Sequence, residues 1–374
     1  MLHDHGYQRE VKYDRALIFT AVALWLFGVF AVYSATRTIG GNTNVIVQLG
    51  AGAIGIVIMI FLGFFDYRQL APLWKYIAVI CAASLVLVLL AGITGIWGSK
   101  SWLKIGPLSI QPSEFVKCGF IVTFAYHVSS LGERINNISA VLLLLVHMAV
   151  PVGLVLLQPD FGTCVVFVFI FAAVLFSAGI SYKIIIPAAA SLVAFAPIGY
   201  MLLSEYQQKR IQVFFHPELD PRGYGYNVIQ SKIALGSGGL FGNGYLEGIS
   251  TQNGFLPAKH TDFIFSSVAE ESGFAGSVFV LLSLFIIIFV TLRIAGRAHT
   301  LFGRYICVGV AAMLFFHSFE NMGMCMGILP VTGIPLPFVS YGGSSVVSNF
   351  MAVGLVVSVG RMSRKDRLFP VARN

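Results

Sequence analysis

Apolar residues in this 374-residue chain neither alternate as in a half-buried strand nor recur every third or fourth position as in a surface helix. They run on unbroken, repeatedly, for the length of a bilayer crossing. Runs of about 17 to 25 residues, enough to cover roughly 30 Å of hydrocarbon, lie near 16–34, 45–64, 76–95, 115–130, 138–157, 162–179, 184–203, 264–292, 303–327 and 344–360. The pattern predicts an all-α polytopic integral membrane protein, about ten transmembrane helices in one domain over 1–374. The polar segments between the runs are uneven: those near 35–44, 96–113 and 328–343 are short or rich in Gly and Pro, whereas the loop 204–262 is about sixty residues long, a length usually reserved for function or disorder. Its content argues against disorder. QVFFHPELDP, YNVIQSKIAL and the glycine cluster LGSGGLFGNGYLEG read as re-entrant or interfacial helices joined by tight turns.

Lysine and arginine set the orientation. With the N-terminus cytoplasmic, the inner segments hold Arg9, Lys12, Arg15, Arg68, Lys75, Arg134, Lys183, Arg293, Arg297, Arg304, Arg361, Arg364, Lys365, Arg367 and Arg373, while the short outer loops hold Arg37, Lys100 and Lys104. That asymmetry satisfies the positive-inside rule, puts both termini in the cytoplasm and leaves 204–262 outside.

Composition agrees: 57% of residues are hydrophobic and 11% charged, against about a quarter charged in soluble domains. The net charge of +8 resides mostly in inner-leaflet anchors with no basic-aromatic patch, which excludes a nucleic-acid binder. Cys81, Cys118, Cys164, Cys307 and Cys325 lie in apolar runs without C-x-x-C spacing, so neither a zinc site nor a disulfide framework is indicated. No internal repeat is evident, which counts against a transporter of two inverted halves. The glycine cluster lacks G-x-G-x-x-G and a preceding strand, so it is no dinucleotide site.

Ionisable groups in or beside the spans are costly in hydrocarbon and are the candidates for chemistry. Glu114 and Lys117, three apart in QPSEFVK, share a helix face and can neutralise each other as a structural pair, or Lys117 can hold an anionic ligand such as a phosphate. Asp160, after Pro159 in LLQPDFGT, has the placing of a helix cap on the outer face. Asp262, in LPAKHTDFIFS, stands where the long loop enters a span, and a capping role is open to it too. Two features favour chemistry there: His260 is two residues away, and Lys209, Arg210, Arg222, Lys232 and Lys259 share its loop, which suits a lipid diphosphate held by cations while a carboxylate accepts a proton. Glu270 lies about 80° around the helix from Asp262 and Glu271 nearly opposite, which makes Glu270 the expected cavity neighbour. For Glu320 a buried structural contact is expected. The prolines and paired glycines of GIPLPFVSYGGSS predict a re-entrant turn against an outer cavity, intolerant of bulk at Gly342 or Gly343.

Taken together, QPSEFVK, LLQPDFGT, HPELDPRGYGYNVIQSKIALGSGGLFGNG, LPAKHTDFIFS and GIPLPFVSYGGSS, in that order from the fourth span onward, resemble the SEDS family (shape, elongation, division and sporulation). The YLEGISTQNGFLPAKHTDF spacing is closer to its elongation branch, the RodA type, than to its division branch, the FtsW type. The chain departs at Ala258, where an acidic residue is expected after the proline, a change of local charge that leaves Asp262 untouched.

The resemblance implies a peptidoglycan glycosyltransferase in the bacterial cytoplasmic membrane that polymerises lipid II at the outer face during elongation and shape maintenance; a division or sporulation role is the alternative branch. It implies Asp262 as the catalytic base. Lys117, Glu114, Asp160, Arg210, Lys209, His260, Glu270 and Ser344 become the residues to contact lipid II and its diphosphate. A class B penicillin-binding protein is the implied partner, since this chain has no S-x-x-K followed by K-T-G and so no transpeptidase of its own. A diphosphate substrate admits a divalent cation, magnesium or manganese, although no ligand cluster with metal spacing accompanies it. The rival function, a lipid II flippase, requires charges lining a continuous path across the bilayer, for which Glu114, Lys117, Asp160, Glu270 and Glu320 are the material.

Overall fold

A computed structural model describes residues 2–40, 42–94, 100–106, 108–202, 205–220 and 223–368. The apolar runs form α1 (Leu2–Thr36), α2 (Asn42–Phe64), α3 (Trp74–Ala91), α4 (Pro112–Leu131), α5 (Ile138–Leu156), α6 (Phe161–Ser177) and α7 (Tyr182–Leu202) before the long loop, and α11 (Ile264–Arg297), α12 (Leu301–Met326) and α13 (Gly343–Leu368) after it. Within the loop are α8 (Glu205–Phe215), α9 (Tyr224–Ser237) and α10 (Ile249–Gln252). Among the described residues, eight helices are long and apolar enough to cross a membrane. Of the other two predicted spans, α6 is apolar but 17 residues long, and α7 carries Pro187 and Pro197. The outer segment between α3 and α4 is not a plain loop: β1 (Ile93–Thr94), β2 (Lys100–Ile105) and β3 (Leu108–Ile110) form a small antiparallel sheet in that order, with Leu103 opposite Ile110 and Ile105 opposite Leu108.

The last two helices are the innermost. In α13 and α12, 83% and 72% of the most apolar stretch is buried, against 11% in α3. Lipid tails are as apolar as leucine, so tight packing of small residues is what draws membrane helices together. On α2 the buried face is Gln48, Ala51, Gly52, Gly55, Met59 and Gly63. Gly55 lies against Phe350 of α13 and Gly52 against Trp25 of α1, and the Trp25 and Phe350 rings meet edge to face at 6.0 Å.

Helix α11 is broken at Gly273, whose φ of 64° and ψ of −159° interrupt the hydrogen-bond ladder. Here the glycine cluster finds its purpose. Asn243 and Gly244 donate their N–H groups to the carbonyls of Glu270 and Glu271 at 3.0 and 3.2 Å, while Phe274 and Ala275 donate to Gly239 and Leu240 at 2.9 and 3.1 Å. The cluster therefore closes the break with four main-chain bonds where the apolar surroundings offer none. Such approach needs bare backbone: a Cβ at Gly273 would strike the Gly242 nitrogen, and one at Gly242, itself at φ 83°, would strike the Glu271 carbonyl.

The predicted GIPLPFVSYGGSS turn is present and buried, with Ile334, Leu336, Phe338, Val339 and Ser340 all under 5% exposed. The tight contact, however, is at neither Gly342 nor Gly343, where a Cβ meets nothing closer than 3.6 Å. It is at Gly28 of α1, where a Cβ would sit 2.6 Å from the Phe338 carbonyl oxygen. Gly273→Ala should therefore lose at least about 1–3 kcal/mol of stability from the left-handed backbone alone, with a lower folded yield, while Gly343→Ala should unfold with wild-type protein. Thermal unfolding in detergent reads both; an unchanged midpoint for Gly273→Ala would remove the glycine plug from the account.

Candidate active site

Asp262 lies at the outer end of α11 but does not cap it. The N-cap position is Phe263, with no side-chain hydrogen bond to the helix. The main chain around Asp262 is gripped from α12 and from the turn before α13. Asn321 donates its side-chain amide to the carbonyls of Asp262 and Ile334, each at 2.8 Å. Ser340 donates to the Thr261 carbonyl at 2.7 Å and accepts from the Leu336 N–H at 2.8 Å, and the Tyr341 N–H reaches the His260 carbonyl at 2.9 Å. On either side of this seam a non-glycine residue is held in left-handed backbone, Ala258 at φ 48° and Phe338 at φ 65°, strain that persists only where surrounding bonds over-determine it. Asp262 is 7% exposed, and the absent side chain of Gly333 leaves room beside its Oδ2: a Cβ there would stand 3.6 Å away.

Across the turn lies a second group. Lys117 and Glu114 form the expected pair at 2.8 Å, both about 2% exposed. Lys117 has a further partner that spacing could not reveal, His317 Nε2 of α12 at 3.0 Å. Ser348 of α13 donates to the other Glu114 oxygen at 3.2 Å. Asp160 caps α6, accepting from the N–H and hydroxyl of Thr163 at 3.1 and 2.9 Å. The Gln111 side-chain amide approaches its Oδ2 at 3.5 Å, and the Gln111 N–H is held by the Ser344 hydroxyl at 3.0 Å. Gly162, two residues after Asp160, packs on Thr332 next to Gly333. Turn 331–341 thus links the α4–α6 group to Asp262.

The other predicted residues are spoken for differently. Glu270 does not face a substrate cavity: its carboxylate takes the N–H groups of Ser250 and Thr251 at 2.7 and 2.8 Å and the Thr251 hydroxyl at 2.7 Å, anchoring the start of α10. The helical wheel could not show that the loop folds back over that face. Glu271 accepts from Ser34 and Gln252 at 2.6 and 2.9 Å. Lys259 is 4% exposed and donates to the Thr251 carbonyl and, at 3.2 Å, to Thr38, while Lys209 pairs with Asp220 at 3.6 Å. Glu320 is buried on α12, as expected. The side chain of Arg210 lies outside the described residues, as does Arg222. His260 is partly buried, its ring 5.6 Å from that of Tyr341; burial first, and the charge of Lys259 second, hold its pKa below the ordinary 6.5. Among the described residues no three His, Cys, Asp or Glu side chains are grouped to hold a metal ion. Sequence reasoning missed His317, Asn321 and Ser348. The H-x-x-x-N spacing of the first two, which puts them on one helix face, was the available signal.

Residues 15–365 match the model of the FtsW/RodA/SpoVE cell cycle protein family. The chain is 38% identical to the peptidoglycan glycosyltransferase MrdB of Escherichia coli K12, over 94% of each chain. It is 30% identical to the peptidoglycan glycosyltransferase RodA of Treponema pallidum, over 93% of this chain and 97% of that one. Among solved structures it resembles a chain of a peptidoglycan synthase complex that coordinates polymerization and crosslinking, with a TM-score of 0.80 and 30% identity over 93% of this chain and 97% of that one. The chain belongs to the FtsW/RodA/SpoVE family, the SEDS family that its motifs resemble.

Two outcomes follow from this geometry. Lys117→Met strands a buried carboxylate and should cost about 3–5 kcal/mol, most of it regained when Glu114→Gln is added. If that stable double variant kept full activity, Lys117 would have no part in the site. For His260 the unfolded chain takes up a proton before the folded one does. Its stability contribution is therefore complete above its ordinary pKa of 6.5 and is lost as the pH falls through the lower folded value. Unfolding midpoints at pH 7.5 and 5.5 should differ less in His260→Gln than in wild type; equal differences would refute the burial effect.

Proposed function

We infer that this chain is a peptidoglycan glycosyltransferase, a multi-pass protein of the bacterial cytoplasmic membrane that polymerises lipid II at its outer face. Membership of the family carries the reaction class, and one observation carries the site: the main chain of Asp262 is fixed by Asn321 where the outer loop enters α11, with Phe263 and not Asp262 at the N-cap position. A carboxylate so placed suits a general base. The 4-hydroxyl of the acceptor's glucosamine gives its proton to Asp262 and attacks C1 of the donor's muramyl sugar. The new C1–O bond forms as the C1–O bond to phosphate breaks, and the electron pair leaves on undecaprenyl diphosphate. Lys117, held between Glu114 and His317, is the buried cation that supports a reading as diphosphate ligand. With no metal-ligand cluster among the described residues, a magnesium or manganese ion here would take its ligands mainly from the diphosphate itself.

The charged and titratable groups support synthesis over transport. Glu114, Lys117, Asp160 and Asp262 all lie toward the outer side, and Glu270 is bonded to α10 of the outer loop. A flippase would need charge along a path across the whole bilayer. Likeness to a chain from a synthase complex supports a class B penicillin-binding protein as the transpeptidase partner, and the MrdB and RodA relatives support a role in elongation and shape.

Asp262→Asn should keep the fold, because the amide preserves size and the grip on this residue is on its carbonyl. It should lower the rate by on the order of 10² to 10⁴, and Asp262→Glu should restore part of it at best, the carboxylate being displaced by a methylene. Glycan ladders made from lipid II in detergent, where transport has no meaning, measure this at equal folded concentration with the partner present. Near-normal ladders from Asp262→Asn would sink the assignment.

A further inference from the structure

Small residues leave a gap on the lipid-facing side of the bundle. On α3 they are Ala78, Cys81 and Ala82, and Gly119 lets α4 close on that helix, since a Cβ there would strike the Cys81 sulfur. The cavity that remains between α3, α4 and α5 measures about 270 Å³, under the roughly 300 to 1,000 Å³ of a pocket for a compact ligand. It is long, however. Along α4 its wall runs from Val116 to His127, about 16 Å by helix rise, which is the hydrocarbon depth of one leaflet, half of roughly 30 Å. A space so narrow and so long suits one extended chain.

The polar atoms of the wall are bonded among themselves. Thr123 Oγ1 meets His147 Nε2 at 3.1 Å, the Nδ1 atoms of His147 and His127 meet at 3.0 Å, and the Trp74 ring stacks on His127 at 5.7 Å. What faces the space is mostly carbon, so a file of waters would find few of the two to four polar partners that each requires. The α5 wall shows where a chain enters. Leu143, Val146 and Val150 form one stripe at helical spacing and line the cavity, yet they are 60%, 62% and 47% exposed. The slot is therefore open sideways to the bilayer, and its walls regain dispersion contacts only when something from the bilayer fills it. Charge then selects the leaflet. Trp74, the first residue of α3, lies at the inner end, the headgroup depth at which aromatic rings collect. The Lys75 ammonium stands 5.8 Å from its ring centroid. A cation at the mouth of a gap between helices, on the cytoplasmic side, complements an anionic headgroup.

We propose that this slot holds one anionic phospholipid of the inner leaflet, with an acyl chain running from Trp74 toward Val116 and the phosphate on Lys75. The site lies at the opposite membrane face from Asp262 and stands apart from the glycosyl transfer.

The experiment uses the full chain in nanodiscs of equal phosphatidylglycerol and phosphatidylcholine with matched chains. The proteins are wild type, Lys75→Gln, Ala82→Phe to fill the slot and, at an exposed neighbour on α3, Ala83→Phe as control. Native mass spectrometry after gentle release counts the phospholipid that stays bound. Wild type should keep one, with phosphatidylglycerol favoured about fivefold, the worth of one lysine near a membrane surface. Lys75→Gln should bring that preference close to parity, Ala82→Phe should keep none, and Ala83→Phe should match wild type. Phosphatidylglycerol carrying a diazirine at one end of a chain tests the wild type without any variant. Placed by the carboxyl end it should label Trp74 and its neighbours, and placed by the methyl end it should label Val116 and Val150. A folded Ala82→Phe that keeps the lipid, an undiminished preference in Lys75→Gln, or label spread evenly over the outward faces of the bundle would each overturn the proposal. So would release of the retained lipid by undecaprenyl phosphate, which would give the slot to a polyprenyl chain.

Discussion

Backbone amides and carbonyls away from water must find partners within the protein, and the outer half of this bundle is built around that constraint. Three irregular stretches meet there: the broken α11 at Gly273, the turns from Leu256 to Asp262, and the turn 331–341. Each is closed by a specific donor or acceptor rather than by regular helix. Glycine-cluster main chain closes the first, Asn321 and Ser340 join the second to the third, and Gln48 of α2 donates to the Ser340 carbonyl at 3.1 Å and accepts from Gly342 at 3.3 Å. The consequence for function is direct. The Asp262 carbonyl is one of the groups so satisfied, by Asn321, and this bond fixes the backbone at that position.

The buried charges divide by face in the same spirit. On the inner side Arg68 is bonded to Asp66 and Asp366 at 2.9 and 3.1 Å, and Arg364 to Asp14. These pairs join helix ends near the inner surface, where anchoring to the interface and to each other is sufficient explanation. On the outer side the Glu114–Lys117 pair is sunk within the bundle, where its desolvation is not offset by solvent and a hydrophobic pair would stabilise as well or better. Its remaining partners, His317 and Ser348, come from α12 and α13, so the pair ties α4 to the two innermost helices.

Much of this was legible in the sequence, and the boundary between legible and hidden is physical. Span lengths follow from bilayer thickness and sidedness from lysine and arginine, so ten runs and an outer loop could be read directly. The Glu114–Lys117 contact follows from a spacing of three. Asp262 stood out because few carboxylates occupy such a boundary. Hidden were contacts between residues far apart in the chain: Lys117 with His317, Asn321 with Asp262, Glu270 with α10. Periodicity assigns a residue to a face without saying what covers that face, which is why Glu270 was expected beside a substrate and is instead bonded to a loop. The glycine cluster was read as turns for a related reason. Its composition signals bare backbone, but only the break in α11 explains what bare backbone is for.

Two of the loop cations have partners that charge counting alone does not show. Five basic residues between Lys209 and Lys259 suggested an electrostatic funnel above Asp262. Yet Lys259 is buried against Thr251 and Thr38, and Lys209 faces Asp220. Both hold the loop to itself or to the helices. Through Lys259 the seam is tied to α10, and through Glu270 α10 is tied to α11, the helix that Asp262 precedes. By this circuit of bonds Lys259 and Glu270 help to fix the backbone that leads into Asp262. Lys117 lies outside this circuit, on α4, bonded to Glu114 and to His317 of α12.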